Sequence, residues 1–392
     1  MVFESFLAAR ASLLAIALLL GGVLGYTMAR TNFCTLGALS DWVNMGDTRR
    51  LRAWLLAIAI AALGLALLEP LGWVRPDDAS PAYRSAELAW GAHLLGGLLF
   101  GAGMALASGC GSKTALRIGT GSLKALVVAA VLAVTVYAML NPLPGLDRSL
   151  DEWLFTWLQA ATVSLGHPQD LASFFGGSPL LRGLLAGAVA LALLALVFAA
   201  RDFRSSARHI AGGTVVGLCV LGLWVASSVF LASDPVFGDR LTLPEFVTDW
   251  GLLGDQEPLP PPASARAVAP QGISLIGPFA DTGQWVAGGF PTNLVTTGIA
   301  VLLGVILGAL AWALRHGRFR LERFASGGDL AAHLSGGVLM GIGGALAAGC
   351  TFGQGITGVS TLALGAWITL PAMMGGAVAT LVLQYRWLLA RM

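Results

Sequence analysis

The chain is a succession of apolar blocks separated by short polar stretches. No Asp, Glu, Lys or Arg occurs in residues 11–29, 125–146, 183–200 or 282–314, and the longest uncharged run extends from Leu330 to Tyr385. Such blocks match the roughly 20 residues that an α-helix needs to cross a bilayer. The pattern predicts nine spans, at 11–29, 53–69, 88–107, 122–140, 180–200, 209–231, 290–314, 331–348 and 361–384. Backbone groups in hydrocarbon must be satisfied within the segment, so the expected fold class is an all-α polytopic membrane protein set in the lipid bilayer. Composition agrees: 56% of the 392 residues are hydrophobic and 11% charged, where a soluble domain carries about 25% charged residues. One membrane domain, 1–392, is expected. No basic segment precedes the first apolar block, so no cleavable signal peptide is expected.

Charge adds orientation. Basic clusters at Arg49, Arg50 and Arg52, at Lys113, Arg117 and Lys124, at Arg201, Arg204 and Arg208, and at Arg315, Arg318, Arg320 and Arg323 all follow odd-numbered spans. With Arg30, Arg386 and Arg391, this puts 16 of the 23 basic residues on one side. The positive-inside rule makes that side cytoplasmic, with the N-terminus outside and the C-terminus inside. Two long outer stretches result. Residues 141–179 predict a short amphipathic helix anchored at the interface by Trp153 and Trp157. Residues 232–289 predict the largest outer loop, and "PLPPPASA" at 258–265 is too proline-rich for regular structure.

The chain also repeats itself. At an offset of 240, His93 falls on His333, Gly96, Gly97, Gly101 and Gly103 on Gly336, Gly337, Gly341 and Gly343, and Gly109-Cys110 on Gly349-Cys350. The third and eighth spans carry these copies, and five spans of separation make them cross in opposite directions. That predicts an inverted-topology repeat, 11–140 against 209–384, with 141–208 as connector. Gly21 and Gly25 lie on Gly213 and Gly217 in a weaker match, which leaves Ala226 opposite Cys34. Close helix packing accounts for the paired glycines. It does not account for "TFGQGITGVS" at 351–360, an uncharged polar run between two spans. This stretch and the one after Cys110 predict re-entrant breaks, each leading into a short helix whose free N–H groups favour an anion.

Cys34, Cys110 and Cys350 all stand at polar interruptions near membrane depth, whereas Cys219 sits inside an apolar span as a small hydrophobe. A neutral thiol offers a weak donor and a soft sulfur acceptor, which suits a sulfur-bearing ligand. Gly109, Gly111, Ser112, Lys113, Gly349, Thr351 and Gln354 supply backbone or donors at the breaks, and Asn32 and Thr35 do so beside Cys34. The polar side chains serve equally as local caps, and Lys113 and Arg117 serve equally as topology determinants. Without CxxC spacing, a membrane thiol–disulfide oxidoreductase ranks below a transporter. The matched His93 and His333 raise an ammonium-type channel, but at opposite span starts they fit interfacial hydrogen bonding better. No catalytic residue, metal, cofactor or nucleic-acid partner is expected.

The stretch "ARTNFC…GAL.D" around Cys34 and the paired "G.G.ALA.GC" segments resemble the YeeE/YedE family of bacterial inner-membrane proteins, the sulphur transport family, over nearly the whole chain. The resemblance implies an hourglass of inverted repeats whose short helices dip to a central constriction. It further implies a thiosulfate importer, with Cys34, Cys110 and Cys350 relaying the anion through S–H···S contacts and Cys110 most critical. It also implies a cytoplasmic TusA-like sulfur carrier as partner. The long 232–289 segment departs from compact thiosulfate importers toward the longer YedE type associated with selenium, and so keeps a selenium compound open as substrate.

Overall fold

The computed structural model describes residues 1–389 except 144, 146, 235–237, 254–256, 258 and 259, with side chains to residue 386. Arg391 and the start of the proline-rich stretch lie outside the described residues. Nine segments among those described are long and apolar enough to cross a membrane. In order the helices are α1 (Phe6–Thr31), α2 (Thr35–Met45), α3 (Arg49–Leu68), α4 (Trp90–Leu106), α5 (Gly111–Gly119), α6 (Leu123–Leu140), α7 (Leu150–Leu154), α8 (Pro179–Ala199), α9 (Arg201–Arg204), α10 (Ala207–Val229), α11 (Leu243–Thr248), α12 (Trp250–Leu253), α13 (Gly277–Ala287), α14 (Thr297–Arg315), α15 (Gly327–Leu346) and α16 (Leu364–Leu389). A π-helix, Thr351–Gly358, separates the last two.

Local chemistry sets the span ends. Ser5, Ser122, Ser178, Thr296 and Ser326 each accept a first-turn backbone N–H at the head of α1, α6, α8, α14 and α15, satisfying donors that the helix itself leaves free. The expected limits agree with the helices to within a few residues except for the seventh span. Pro291 and a 3₁₀ turn at Thr292–Leu294 delay α14 until Thr297.

Glycine lets the spans meet backbone to backbone. Helices α4 and α15 cross antiparallel. A Cβ on Gly103 would lie 2.6 Å from the Gly336 carbonyl oxygen, and one on Gly336 would lie 2.7 Å from that of Gly103. Gly96 and Gly343 face each other in the same way. Each contact maps onto another under the 240-residue offset. The flanking contacts match in the same sense: Gly21 and Gly25 of α1 press on Val301 and Val305 of α14, while Gly213 and Gly217 of α10 press on Ala53 and Ala57 of α3. Gly97 and Gly101 of α4 meet α16, and Gly337 and Gly341 of α15 meet α6.

The connections are more structured than a loop reading suggests. In 141–179, α7 and a 3₁₀ segment (Thr156–Ala161) expose Trp153 and Trp157. Two small sheets tie distant loops. β1 (Val2–Phe3) pairs in parallel with β4 (Leu231–Ser233), which pairs with β5 (Arg240–Thr242), and β2 (Glu87–Leu88) pairs with β3 (Val163–Ser164). Beyond α3 the chain forms a buried ionic cluster. Arg84 bonds Glu69 at 2.5 Å, Arg182 bonds Asp77 at 2.7 Å and Asp170 at 3.1 Å, and Arg84 Nε donates to the Thr361 carbonyl at 2.9 Å. Buried charges persist where they are paired in this way. The cluster clamps the α3–α4 loop and the start of α8 against the link from the π-helix to α16.

The segment read as the outer loop at 232–289 does not stay at the surface. Its second half runs inward: Ile273 and Leu275 are fully buried and Ile276, Phe279 and Ala280 nearly so. Helix α13 then packs on α6 and α14, as α2 packs on α16 and α3. By packing, the counterpart of Cys34 at the head of α2 is Ile276 at the head of α13. Ala226, its counterpart in the sequence comparison, lies inside the continuous helix α10.

Candidate functional site

Three helices end in one backbone motif. At the ends of α1, α4 and α15 the residues Asn32, Ser108 and Ala348 adopt left-handed φ of 58°, 59° and 52°. The next N–H reaches back five residues: Phe33 to Met28, Gly109 to Met104 and Gly349 to Gly344, at 3.2, 2.8 and 2.9 Å. This is the Schellman ending, which normally takes glycine at the left-handed position. Here none of the three is glycine: Asn32 is the usual substitute, while at Ser108 and Ala348 the left-handed conformation costs roughly 1–2 kcal/mol. Such strain tends to collect at functional sites. In each case the following extended residue is a cysteine. Cys34, Cys110 and Cys350 stand at the N-cap of α2, α5 and the π-helix, and their carbonyls accept the first helical bonds, from Ala38, Thr114 and Gln354.

The three thiols are thus held at three helix N-termini, where free N–H groups and the helix dipole favour negative charge. All three are buried and none is in a disulfide. The three belong to one buried core, and the Phe33 and Phe352 rings beside Cys34 and Cys350 pack 5.9 Å apart. Cys219 is buried in α10 without such a setting. Each of the three thiols has a buried hydroxyl close by in sequence. Ser112 Oγ lies 3.1 Å from Cys110 Sγ, while the Thr35 and Thr351 hydroxyls have no partner. Gly353 N–H donates to Cys350 Sγ at 3.5 Å. Gln354 is spent on capping: its Nε2 donates to the Ala347 and Ala348 carbonyls at 2.7 and 3.2 Å, and its Oε1 is left unpaired. Gly109 lies under the Lys113 stem, Gly111 against Phe279 and Gly349 against Gln354.

The two cations near Cys110 separate. Arg117 bonds Glu322 at 2.8 Å, and Lys124 bonds Asp329 at 2.7 Å. Burial pushes the Glu322 carboxyl up, but hydrogen bonds from Arg117 and Ser122 and the charges of Arg117 and Lys124 bring it below its ordinary value. Arg117 therefore latches α5 to the α14–α15 loop. Lys113 is half-buried, makes no ion pair among the described residues and acts electrostatically on Cys34. Arg50 joins it there: its guanidinium lies beside Gly37, one turn beyond Cys34, and bonds Asp41 at 2.9 Å. His93 and His333 stay outside the thiol group, bonded to Thr369 at 2.8 Å and to Asp329 at 3.0 Å.

Sequence reasoning missed one wall of the site. The Ile273 carbonyl accepts from the Thr357 hydroxyl at 2.9 Å, a Cβ on Gly111 would lie 3.8 Å from the Leu275 carbonyl oxygen, and a Cβ on Gly353 would lie 2.5 Å from Ser274 Oγ. A signal was present, since residues 267–280 carry no charge, the same feature that marked 351–360. Tyr83 had no signal. It comes from the α3–α4 loop, packs 6.5 Å from the Trp224 ring, and has its phenol pushed up by burial and by nearby Cys350.

Nine apolar spans interrupted by partial helices that converge on buried thiols define a multi-pass membrane transporter rather than an enzyme. The pattern of the sulphur transport family matches residues 30–379, and the chain belongs to that family. It is 26% identical over 368 residues to the thiosulfate transporter TsuA of Escherichia coli (strain K12), covering 93% of each chain. It is 25% identical over 365 residues to the thiosulfate transporter TsuA of Spirochaeta thermophila, covering 90% of this chain and 93% of that one.

Proposed function

We propose that the chain imports thiosulfate or a related sulfur compound across a bacterial inner membrane, along a path lined by Cys350, Cys110 and Cys34. The observation that carries this reading is the threefold recurrence of one helix ending with a cysteine at the next helix's N-cap. Neutral thiols meet a sulfur-bearing anion through weak S–H contacts, and a series of weak sites allows both entry and exit. The surroundings favour an order from Cys350 through Cys110 to Cys34. Cys350 neighbours Tyr83, in the loop that the Lys/Arg asymmetry assigns to the outside, and Cys34 neighbours Arg50, on the side assigned to the cytoplasm. The matching glycine contacts support two inverted halves, 11–140 and 209–384, around the 141–208 connector, with the N-terminus outside. The basic inner face suits a TusA-like acceptor for the imported sulfur.

The test is uptake of labelled thiosulfate by cells lacking other thiosulfate systems. Wild type and Cys219→Ala restore uptake, and Cys110→Ala abolishes it. Normal uptake by Cys110→Ala sinks the thiol path. Wild-type uptake of a selenium compound and not of thiosulfate moves the substrate to the YedE type.

A further inference from the structure

Tyr83 is 4% exposed, and its hydroxyl has no hydrogen-bond partner. Native proteins keep few buried hydroxyls unpaired, because the lost hydration is not recovered. The phenol is also held in place. Arg84, the next residue, is bound to Glu69, Asp77 and the Thr361 carbonyl, which anchors the loop that carries Tyr83.

The hydroxyl is directed at the π-helix. A Cβ on Gly353 would lie 3.5 Å from Tyr83 Oη and 2.5 Å from Ser274 Oγ. Two hydroxyls from distant loops therefore face one glycine, three residues after Cys350, and that glycine's N–H points at the Cys350 sulfur. Ser274 is partly exposed despite its depth, and its hydroxyl makes no hydrogen bond among the described residues. The Thr351 hydroxyl is buried and unpaired as well. The adjacent cation, Arg84, is neutralised by Glu69 and Asp77.

We infer that Tyr83 and Ser274, with Thr351, form a hydroxyl cradle beside Cys350 that takes the oxygen-bearing end of a sulfur oxyanion while the thiol meets its sulfur end. The inference rests on the transport reading above and adds the residues that select the anion. Neutral donors hold a charged oxygen firmly enough to orient it and loosely enough to release it, where a fixed guanidinium would retain it. An all-oxygen anion satisfies the cradle and wastes the thiol, whereas a persulfide does the reverse. Only a small ligand carrying both ends satisfies the whole site.

The experiment is labelled thiosulfate uptake into proteoliposomes holding wild type, Tyr83→Phe, Ser274→Ala or the double variant. Tyr83→Phe keeps the ring against Trp224, and size-exclusion profiles confirm equal folding. KM is expected to rise about tenfold in Tyr83→Phe, the effect of one hydrogen bond to a charged acceptor, and further in the double variant, with Vmax unchanged. An unchanged KM in the double variant overturns the cradle, and so does a fall in Vmax alone, which marks a merely structural role. Wild-type uptake separates the two levels. If it is absent, the transport reading fails and takes the cradle with it. If it is present, an unchanged variant KM removes the cradle alone.

Discussion

The break at Cys110 leads into α5, a helix of 9 residues that carries Lys113 and Arg117, while the break at Cys350 leads into a π-helix of 8 residues, all buried and all uncharged. The backbone before them is the same, down to the left-handed residue and the five-residue return bond. Their surroundings differ. Arg117 latches the first to Glu322, and the second is enclosed by Tyr83, Ile273–Leu275, Trp54 and Trp224. A repeated backbone thus supplies two equivalent N-termini, and unmatched side chains put cations on one of the two helices and leave the other uncharged. The wide π turn fits the second setting. Such turns are uncommon and concentrate at functional sites.

The comparison can be broken at either end. Arg84→Ala removes the close partner of Glu69 and leaves it only Arg182, at 3.6 Å, which costs up to about 3 kcal/mol. Thermal unfolding in detergent should show this as the largest loss, and a small change would mean that the cluster does not brace the Cys350 break. Adding a methyl group to the shared crossing tests the equivalence itself. Gly103→Ala and Gly343→Ala should each cost about 1–3 kcal/mol by overpacking. Gly375→Ala, in open space, should stay within about 0.5 kcal/mol. A large inequality between the first two would show that the copies are not mechanically equivalent.

Smaller effects belong to the charged side. Lys113→Gln should slow thiosulfate uptake several-fold at low ionic strength, and the deficit should shrink in high salt as screening shortens the reach of the charge. A deficit independent of salt would assign Lys113 a packing role. Glu322 has a lowered carboxyl value when folded. Its contribution is therefore full above the unfolded value of about 4.3, and is lost as pH falls through the lower folded value. The carboxylate is half exposed, so screening keeps the amount below about 1 kcal/mol. Unfolding of wild type and Glu322→Gln should differ at about pH 7 and converge near about pH 3. Parallel curves would remove the latch.

The spans were legible because the bilayer imposes a length and a polarity on each of them, and both are local properties of sequence. The breaks were legible for a related reason. An uncharged polar run such as 351–360 fits neither water nor hydrocarbon unless protein surrounds it. The three cysteines could be selected because each stands at a polar interruption of this kind. The separate roles of Lys113 and Arg117 could not be read, since the difference is Glu322, 205 residues from Arg117. The entry of 270–287 was missed because proline and acidic residues upstream suggested one continuous surface loop.

Hydrophobic length, the 240-residue echo and the thiols between spans are written along the chain, because each depends on neighbours a helical turn or a membrane thickness apart. The wall around Cys350 is not. It is made when Ile273 accepts from Thr357, 84 residues away, and when Arg84 reaches Thr361, 277 residues away. Folding joins such groups through burial and paired charge. No local pattern announces that Tyr83 will be carried from a polar loop to the side of a thiol.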